Sequence, residues 1–572
     1  MLKLLMCLAV GTVTVAQADI NVRLRRRSTL YLPYTYQNGP KYDLFEVSVE
    51  QVSYDSDNKI LYTVGDTVVH AIDVSDPNNM KVAAHLEYPG MEFTDVEFCG
   101  GHIFTAMDNR TDRANGKMIV LKYNPATKQI NEVLQVQVGA IPDMVKPTKD
   151  CKKIVVAVEG EAYEYPPNHI TDPPGLVVIV NFPWGIGTDM IISTLDFERF
   201  NDRVPFLAGS GVRHAHQANN NPLSHDVEPE YIAINADDSK AYIMLQENNA
   251  VATVDLETQT ISEVYGLGYK NWSSLKLDPS DKDGGAHMNA YNVYGMYQPD
   301  TFVHFQFKGG NYLVLANEGD SKDYSYGGYQ WSEESRGSDI PPHDVWRNID
   351  YTTQAQLGNN TVLGRLKFAV SPAEKTMCVL YCTGRLKFAV SPAEKDSQGF
   401  LKDMYVFGGR GWSIRRAEDM SLIYDSGNDI AERTLRTEHD LFNCEIDNVH
   451  NRPVDDFDTR SDDKGPETES VAVGEVDGYT LFFAANERPG TIFTYSVKDD
   501  LSHPKFQHIY SGIPETRGRT WQQMYDDRDL TEIDCEDMKF VHASKSPTGK
   551  AILFVGGSVS GTLSILDVEV LD

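Results

Sequence analysis

The sequence is short of basic residues, with 52 Lys and Arg against 83 Asp and Glu in 572 residues and a formal net charge of −31. Binding to a nucleic-acid backbone needs the opposite sign of charge, so we expect no nucleic-acid partner. An acidic excess of this size favours cations or a mineral surface as partners, and it also keeps a secreted protein soluble. The balance of charge therefore points toward calcium ions or calcium mineral, with simple solubility as the alternative.

Long hydrophobic runs are also missing after the N-terminal segment, and the last residues lack the apolar tail of a lipid-anchor signal. We therefore expect no transmembrane segment and no anchor. Residues 1–18 have a basic start at Lys3, an apolar run and small residues before Asp19, which is typical of a cleaved secretory signal. The mature chain is expected to begin near Asp19, to be secreted and to act in the extracellular space.

Motifs of common catalytic sites are absent, since the chain contains neither a Gly-x-Ser-x-Gly nucleophile elbow nor a phosphate-binding P-loop. His214, His216 and His225 lie in a polar loop, which is more often solvated than a zinc site. The Gly- and Arg-rich segment 408–416 lies between strand-like runs and not at a helix start, so it lacks the geometry of a phosphate loop. We assign no catalytic residue.

Cysteines are few, and one of the seven leaves with the predicted signal. The rest form an even number that is compatible with disulfides of unspecified pairing, namely Cys99, Cys151, Cys378, Cys382, Cys444 and Cys535. On a secretory route three sequons are permissible N-glycosylation sites, at Asn109, Asn271 and Asn359.

One segment is repeated letter for letter, at residues 364–375 and again at 384–395, a register of 20 residues. Other repeats of the chain are diverged, so an identical copy indicates a recent duplication or an error in the gene model. Removing one period would remove two cysteines and leave four, still an even number.

A pattern of three strand-length runs recurs along the chain, most clearly in residues 226–261, where Asn- and Asp-rich turns separate the runs. One such unit cannot bury both of its faces alone. The seven copies begin near Val49, Thr94, Ile141, Asp226, Gln298, Glu467 and Glu536.

Repeats of this kind build blades around a central channel, because each blade covers the apolar face of its neighbour. We predict an all-β chain in which residues 19–572 form a single β-propeller domain of seven blades, with eight as the alternative. Residues 29–36 are expected to pair with the last blade and close the ring. A long insertion is predicted at about 319–465, and the strand-like runs within 405–428 could be outer strands of the fifth blade or an eighth blade.

Each copy also places a carboxylate at the start of its first strand, where innermost strands approach the channel. These acids are Glu50, Asp95, Asp143, Glu230, Asp300, Glu469 and Asp537. A second set follows the second strand and comprises Asp108, Glu159, Glu247, Glu318 and Glu487.

Clustered oxygen ligands without Cys or His suit a hard cation, and calcium is abundant outside cells. A cation would also offset the mutual rise in pKa of crowded carboxylates. The alternative is that each acid accepts hydrogen bonds from backbone amides of the neighbouring blade. The acidic loops 278–285 and 455–465 are weaker calcium signals, because neither has the EF-hand spacing.

The segments EPEYIAI, LQENNAVATVDL, VYGMYQPD, LANEGDSKDY, YVFGGRGWSI and DTRSDDKGPETE resemble the choice-of-anchor I proteins of bacteria and the related mesenchyme-specific cell-surface glycoproteins of biomineralising animals. The resemblance runs from about Tyr31 to the C-terminus. It implies a secreted propeller glycoprotein of shell or skeleton formation. The acids at matching motif positions are Glu50, Asp143, Glu230, Asp300, Glu318, Asp320, Glu469 and Asp537. Val158 and the pair Gly556–Gly557 depart from the family pattern, which argues against a complete second ring.

Two functions from different classes follow. The first is a calcium-associated glycoprotein of the shell or skeletal organic matrix, with calcium and extracellular matrix components as partners. The second is a metal-dependent extracellular phosphoesterase, because some bacterial members of the family are labelled alkaline phosphatases; Arg460 and Lys464 would then contact phosphate. We favour the first function.

Overall fold

The computed structural model describes residues 20–164, 170–215, 221–326, 329–340, 342–347, 349–370, 396–398, 400–446, 448–514 and 518–571. The predicted secretory signal, His216, and residues 371–395 of the duplicated segment with Cys378 and Cys382 lie outside these ranges.

Seven four-stranded antiparallel sheets, here called blades 1 to 7, contain most of the strands in the described ranges. Blade 1 comprises Val52–Asp55, Ile60–Gly65, Val68–Asp73 and Lys81–Glu87. Blade 2 comprises Glu92–Cys99, His102–Asp108, Gly116–Asn124 and Gln129–Gly139. Blade 3 comprises Pro142–Pro147, Lys153–Val158, Leu176–Asn181 and Ile191–Asp196. Blade 4 comprises Pro229–Ile234, Lys240–Leu245, Ala250–Asp255 and Thr260–Gly266.

The remaining blades follow after the connections and the insertion. Blade 5 comprises Phe302–Phe307, Gly310–Asn317, Gly411–Arg416 and Leu422–Asp425. Blade 6 comprises Thr468–Val476, Tyr479–Asn486, Thr491–Val497 and Lys505–Ser511. Blade 7 comprises Met538–Val541, Ile552–Gly557, Thr562–Leu571 and the N-terminal strand Asn21–Tyr31. The first strand of each blade contacts the first strand of the next blade, and the first strand of blade 7 contacts the first strand of blade 1. This closed circle of innermost strands is a β-propeller, as the sequence predicts.

The strand that completes blade 7 differs in position from the predicted 29–36. It runs from Asn21, opposite Leu571, to Tyr31, opposite Thr562. Buried Val22 and Leu24 alternate with more exposed arginines along it, which is the pattern of an outer strand with one covered face. The high arginine content hides this alternation in the sequence.

The insertion lies between the second and third strands of blade 5, and the two strand-like runs within 405–428 become the third and fourth strands of that blade. A separate five-stranded sheet contains Tyr269–Asn271, Tyr294–Met296, Tyr405–Val406, Lys367–Ala369 and Glu334–Arg336. Two hairpins pair Tyr163–Glu164 with Ile170–Thr171 and Asp323–Tyr326 with Tyr329–Ser332.

Helices are short and lie in the connections. In the described part of the chain the α-helices are Val204–Leu207, Leu223–Asp226, Pro342–Val345, Tyr351–Leu357, Asp429–Thr437 and Trp521–Asp526. The 3₁₀ helices of the same ranges are Arg113–Asn115, Glu198–Arg203, Ala208–Ser210, Gly337–Asp339, His439–Leu441 and Pro453–Asp455. Within the described ranges, none of these helices has the length and apolar character needed to cross a membrane.

The core is divided into layers between adjacent blades, as expected when each blade covers its neighbour. Between blades 5 and 6 the buried Trp412 ring lies 5.4 Å from Phe482 and 4.8 Å from Tyr495, measured between ring centroids. A disulfide between Cys99 and Cys151 links blade 2 to blade 3. Cys444 and Cys535 are buried thiols in two different core clusters.

Candidate metal site in the central channel

In blades 2, 3, 4 and 6 the pairing between the first and second strands shifts by one residue near the start of the first strand. Such a β-bulge puts an extra residue opposite the partner strand and re-aims its side chain. When the blades are aligned on their second strands, Thr94 occupies the bulged position of the first strand in blade 2. The six acids at this position in the other blades form what we call the inner ring: Glu50, Asp143, Glu230, Asp300, Glu469 and Glu536.

Two predicted ring members, Asp95 and Asp537, lie one residue further along the strand and do not belong to this set. Asp95 Oδ2 accepts a hydrogen bond of 2.9 Å from the amide of Val145, and Asp537 Oδ2 accepts one of 3.1 Å from the amide of Val52. Each carboxylate therefore ties its own blade to the next one, which is the backbone-amide alternative considered above. The sequence prediction missed Glu536 because the connection between the first and second strands of blade 7, residues 542–551, is longer than in the other blades, so the spacing between these strands does not identify the inner-ring acid.

The inner-ring carboxylates are buried among other carboxylates. Burial raises the pKa of Glu50 well above its ordinary value, and the nearby Asp143 raises it further. Burial also raises the pKa of Glu230, with Glu247 as the next cause, and that of Asp143 to about 7. The part of the channel that these acids line, here called its acidic half, thus brings carboxylates close together, and they disfavour one another's ionised form.

A second set of acids, the outer ring, lies at the ends of the second strands and consists of Asp66, Asp108, Glu159, Glu247, Glu318 and Glu487. In blade 4 the aligned position holds Gln246 and Glu247 is the next residue, and blade 7 has Ser558 at this position. Most of its members have basic neighbours. Lys464 Nζ lies 3.4 Å from Glu318 Oε1, and Arg488 forms an ion pair with Glu487. Burial raises the pKa of Glu247, and the Lys322 ammonium opposes this rise.

The basic neighbours come from loops, and two of them, Lys322 and Lys464, come from residues of the predicted insertion 319–465. The outer ring is therefore partly neutralised by the chain itself. Glu159 is an exception, because burial and the adjacent Glu161 raise its pKa.

Tyr231 reaches across the channel. Its hydroxyl, on blade 4, lies 3.5 Å from Gln51 Oε1 on blade 1. Tyr231 also lines a cavity of about 290 Å³, together with residues of the first strands of blades 3 to 7 that include Lys146 and Lys539. Both lysines form ion pairs with Glu97. This cavity is thus lined in part by paired charges.

Oxygen atoms of the acidic half converge at two places. Asp300, Glu318 and Glu469 each offer a carboxylate oxygen, and these atoms all lie within 4.8 Å of one another. The same is true of Glu469, Glu487 and Asp534. Three of the sequence-predicted ligands are therefore brought together, whereas Asp534 was missed because it precedes the recurring strand pattern.

These carboxylate groups suit calcium, which binds six to eight oxygens with flexible geometry. Among the described residues, the buried oxygens Glu469 Oε2 and Asp534 Oδ1 have no hydrogen-bond partner outside the contact between these two carboxyl groups. Buried polar atoms nearly always have a hydrogen-bond partner, so the oxygens Glu469 Oε2 and Asp534 Oδ1 are suited to bind a cation.

Asp320, which only the family resemblance adds to the candidate ligands, lies at the rim with a side chain that is 48% exposed. Its Oδ1 is 3.2 Å from Lys464 Nζ. Arg460, the other residue considered for phosphate, pairs with Glu445 at 3.0 Å and with Asp463 at 3.2 Å. Both basic side chains are thus already engaged by carboxylates.

The polar-loop histidines bind backbone carbonyls. His214 Nε2 lies 3.0 Å from the carbonyl oxygen of Asn221, and His225 Nδ1 lies 2.7 Å from that of Asp172. Each contact engages one ring nitrogen of its imidazole with the backbone.

The two acidic loops pack together outside the channel. Arg410 donates hydrogen bonds of 2.9 Å to the carbonyl oxygen of Asp278 and of 3.0 Å to that of Ser461, so this arginine has a structural role. Burial, with Asp278 as a further cause, raises the pKa of Asp458 to about 7. Arg365 pairs with Asp281 and neutralises part of this cluster.

The three sequons lie in surface turns. The side-chain oxygens of Asn109, Asn271 and Asn359 each accept a hydrogen bond from the amide two residues further on, over 3.2, 2.8 and 3.0 Å. Asn271 and Asn359 are exposed and Asn109 is half-buried. These positions are compatible with the predicted glycosylation.

Fold and site together define a β-propeller with an acidic central channel. The model of the choice-of-anchor I domain matches residues 50–500, and the chain belongs to this family.

Gigasin-3a of Magallana gigas is 39% identical over 180 residues, which are 31% of this chain and 63% of that protein. The mesenchyme-specific cell surface glycoprotein of Strongylocentrotus purpuratus is 28% identical over 358 residues, 56% of this chain and 42% of that protein. The chain thus spans less than two thirds of the length of either relative.

Among solved structures, the β-propeller domain of Cps50 (Swd1) from Myceliophteria thermophila has a TM-score of 0.41 and 9% identity, covering 96% of this chain and all (100%) of that one. Sqt1 of Saccharomyces cerevisiae has a TM-score of 0.38 and 8% identity, with the same coverage of 96% and 100%. The propeller assignment rests on the sheet topology and not on these weak similarities.

Proposed function

We propose that this protein is a secreted, calcium-binding glycoprotein of a mineralised extracellular matrix. The observation that supports it most is the inner ring, in which buried carboxylates face one another. The relatives include a cell surface glycoprotein, which is in keeping with an extracellular role. The net charge of −31 would attract calcium ions or a calcium mineral surface.

The chemistry of the inner ring favours calcium over other cations. The ring offers only carboxylate oxygens, which suit hard cations, and calcium tolerates the irregular geometry that side chains from different blades provide. A cation in the channel would also relieve the repulsion between acids such as Glu50 and Asp143. Calcium binding should therefore stabilise the folded propeller, because the unfolded chain does not keep these acids together.

Thermal unfolding of the full secreted chain in chelator and in calcium chloride tests this function, together with calcium uptake in equilibrium dialysis. We expect calcium to raise Tm and to bind in dialysis. Glu230→Gln should reduce the rise in Tm, because it removes an inner-ring charge. Glu257→Gln is the matched control, since Glu257 lies on an exposed turn of the same blade and should leave the rise unchanged. Equal Tm values in both conditions, with no calcium uptake, would refute the proposal.

Mineral binding can be tested separately by sedimentation with calcium carbonate particles. The acidic protein should sediment with the particles at low salt and be released as salt screens the surface charge. Retention that does not depend on salt would contradict an electrostatic attachment.

The phosphoesterase alternative gains no support from the geometry, because both Arg460 and Lys464 are held by carboxylates. Turnover of p-nitrophenyl phosphate by the calcium-loaded protein, lost in Asp300→Asn, would overturn the non-enzymatic proposal.

A further inference from the structure

We propose that the acidic half of the channel holds two adjacent calcium positions that share the carboxylate of Glu469. This inference rests on the proposed calcium binding and specifies where it occurs. The first position lies among Asp300, Glu318 and Glu469, and the second lies among Glu469, Glu487 and Asp534.

Glu469 reaches both positions because of its place on the fold. It is the bulged residue between Thr468, opposite Asn486, and Ser470, opposite Ala485. On either side stand the outer-ring acids of blades 5 and 6, Glu318 and Glu487. A carboxylate has two oxygens and can bridge two cations, so one residue between two such acids suits a shared ligand.

Asp534 supplies the acid that blade 7 lacks in the outer ring. Ser558, which occupies that position, donates a hydrogen bond of 2.5 Å from its hydroxyl to Asp534 Oδ2. The Ser558 amide also donates to the Asp534 carbonyl over 2.9 Å. The side chain of Asp534 is thus held in the outer-ring position by the residue that departs from the pattern.

Each position contains an oxygen that lacks a partner. Glu469 and Asp534 are each 8% exposed, and their carboxyl groups contact each other, whereas Glu469 Oε2 and Asp534 Oδ1 have no hydrogen-bond donor outside this pair among the described residues. A buried anion without a partner is unfavourable, and a cation between the two carboxylates would satisfy both oxygens.

The charges of the surrounding groups favour cations at both positions. Five carboxylates supply the two oxygen groups, and Glu536 and Asp320 lie beside them. Lys464 and Arg488 are the basic neighbours, and both also contact Glu467. Carboxylates therefore outnumber the basic groups around the two positions when the acids are ionised.

The number of bound ions tests the inference. Calcium chloride is titrated into the chelator-treated full chain, and bound ions are counted by native mass spectrometry and by isothermal titration calorimetry. We expect Glu469→Gln to bind two fewer ions than the unmodified protein, whereas Asp300→Asn and Glu487→Gln should each bind one fewer. Glu230→Gln should weaken binding without changing the number, and Glu257→Gln should change neither.

The variants are compared only after their circular dichroism spectra match that of the unmodified protein in chelator. Loss of one ion or none in Glu469→Gln, with calcium still bound by the unmodified protein, would overturn the shared position and leave the proposed function intact. An absence of calcium binding in the unmodified protein would overturn both.

Discussion

Closure of the propeller by its N-terminal strand makes a quantitative prediction for Leu24. This residue lies on the outermost strand of blade 7, is 3% exposed, and belongs to a core cluster shared with blade 6. Leu24→Ala removes three buried carbons at about 0.8 kcal/mol each and leaves a cavity, so the expected loss of unfolding free energy is about 2–5 kcal/mol. The loss should be large because this strand joins the two ends of the chain in one sheet.

Leu422→Ala is the matched control, because Leu422 lies on the outermost strand of blade 5 but is 46% exposed. It should cost less than about 1 kcal/mol, as expected for a largely exposed apolar side chain. Urea unfolding of both variants at fixed calcium concentration, followed by tryptophan fluorescence and circular dichroism, gives the comparison. If Leu24→Ala is no more destabilising than Leu422→Ala, the N-terminal strand does not close the ring.

Three other predictions concern charge and covalent structure. Burial raises the pKa of Asp143 from its ordinary 3.8 to about 7. Between these two pH values the folded protein holds a proton that the unfolded chain has released. Without calcium, the unfolding free energy should therefore fall as pH rises from about 4 to about 7. Asp143→Asn should flatten this dependence, measured by urea unfolding at several pH values; an unchanged slope would contradict the buried state of the acid. Lys464→Met removes the ammonium beside Glu318 and should lower Tm in chelator while enlarging the calcium-induced rise; a smaller rise would count against cation binding there. Replacing both Cys99 and Cys151 by Ser should cost about 2–4 kcal/mol in urea unfolding, because their disulfide closes a separation of 52 residues, and stability equal to the parent would show that the bond is not formed.

The propeller itself could be predicted because its signals are local. Residues 226–261 show a complete set of apolar runs and Asn- or Asp-rich turns, and the same set recurs in the other blades. The insertion was harder to delimit, since the third strand of blade 5 begins only at Gly411, far along the chain from the second strand that ends at Asn317. Pairing across such a distance leaves no local pattern.

Strand periodicity and charge are properties of short segments, so the class of fold, the acidic character of the channel and most members of the inner ring can be predicted from the sequence. Which of two adjacent acids, Glu536 or Asp537, belongs to the inner ring depends on the fold. Successive side chains of a strand point in opposite directions, so a difference of one residue in register exchanges their roles. Likewise, the convergence of Glu469 with Asp534 and the neutralising contact of Lys464 depend on packing between distant blades and loops, which local sequence does not encode.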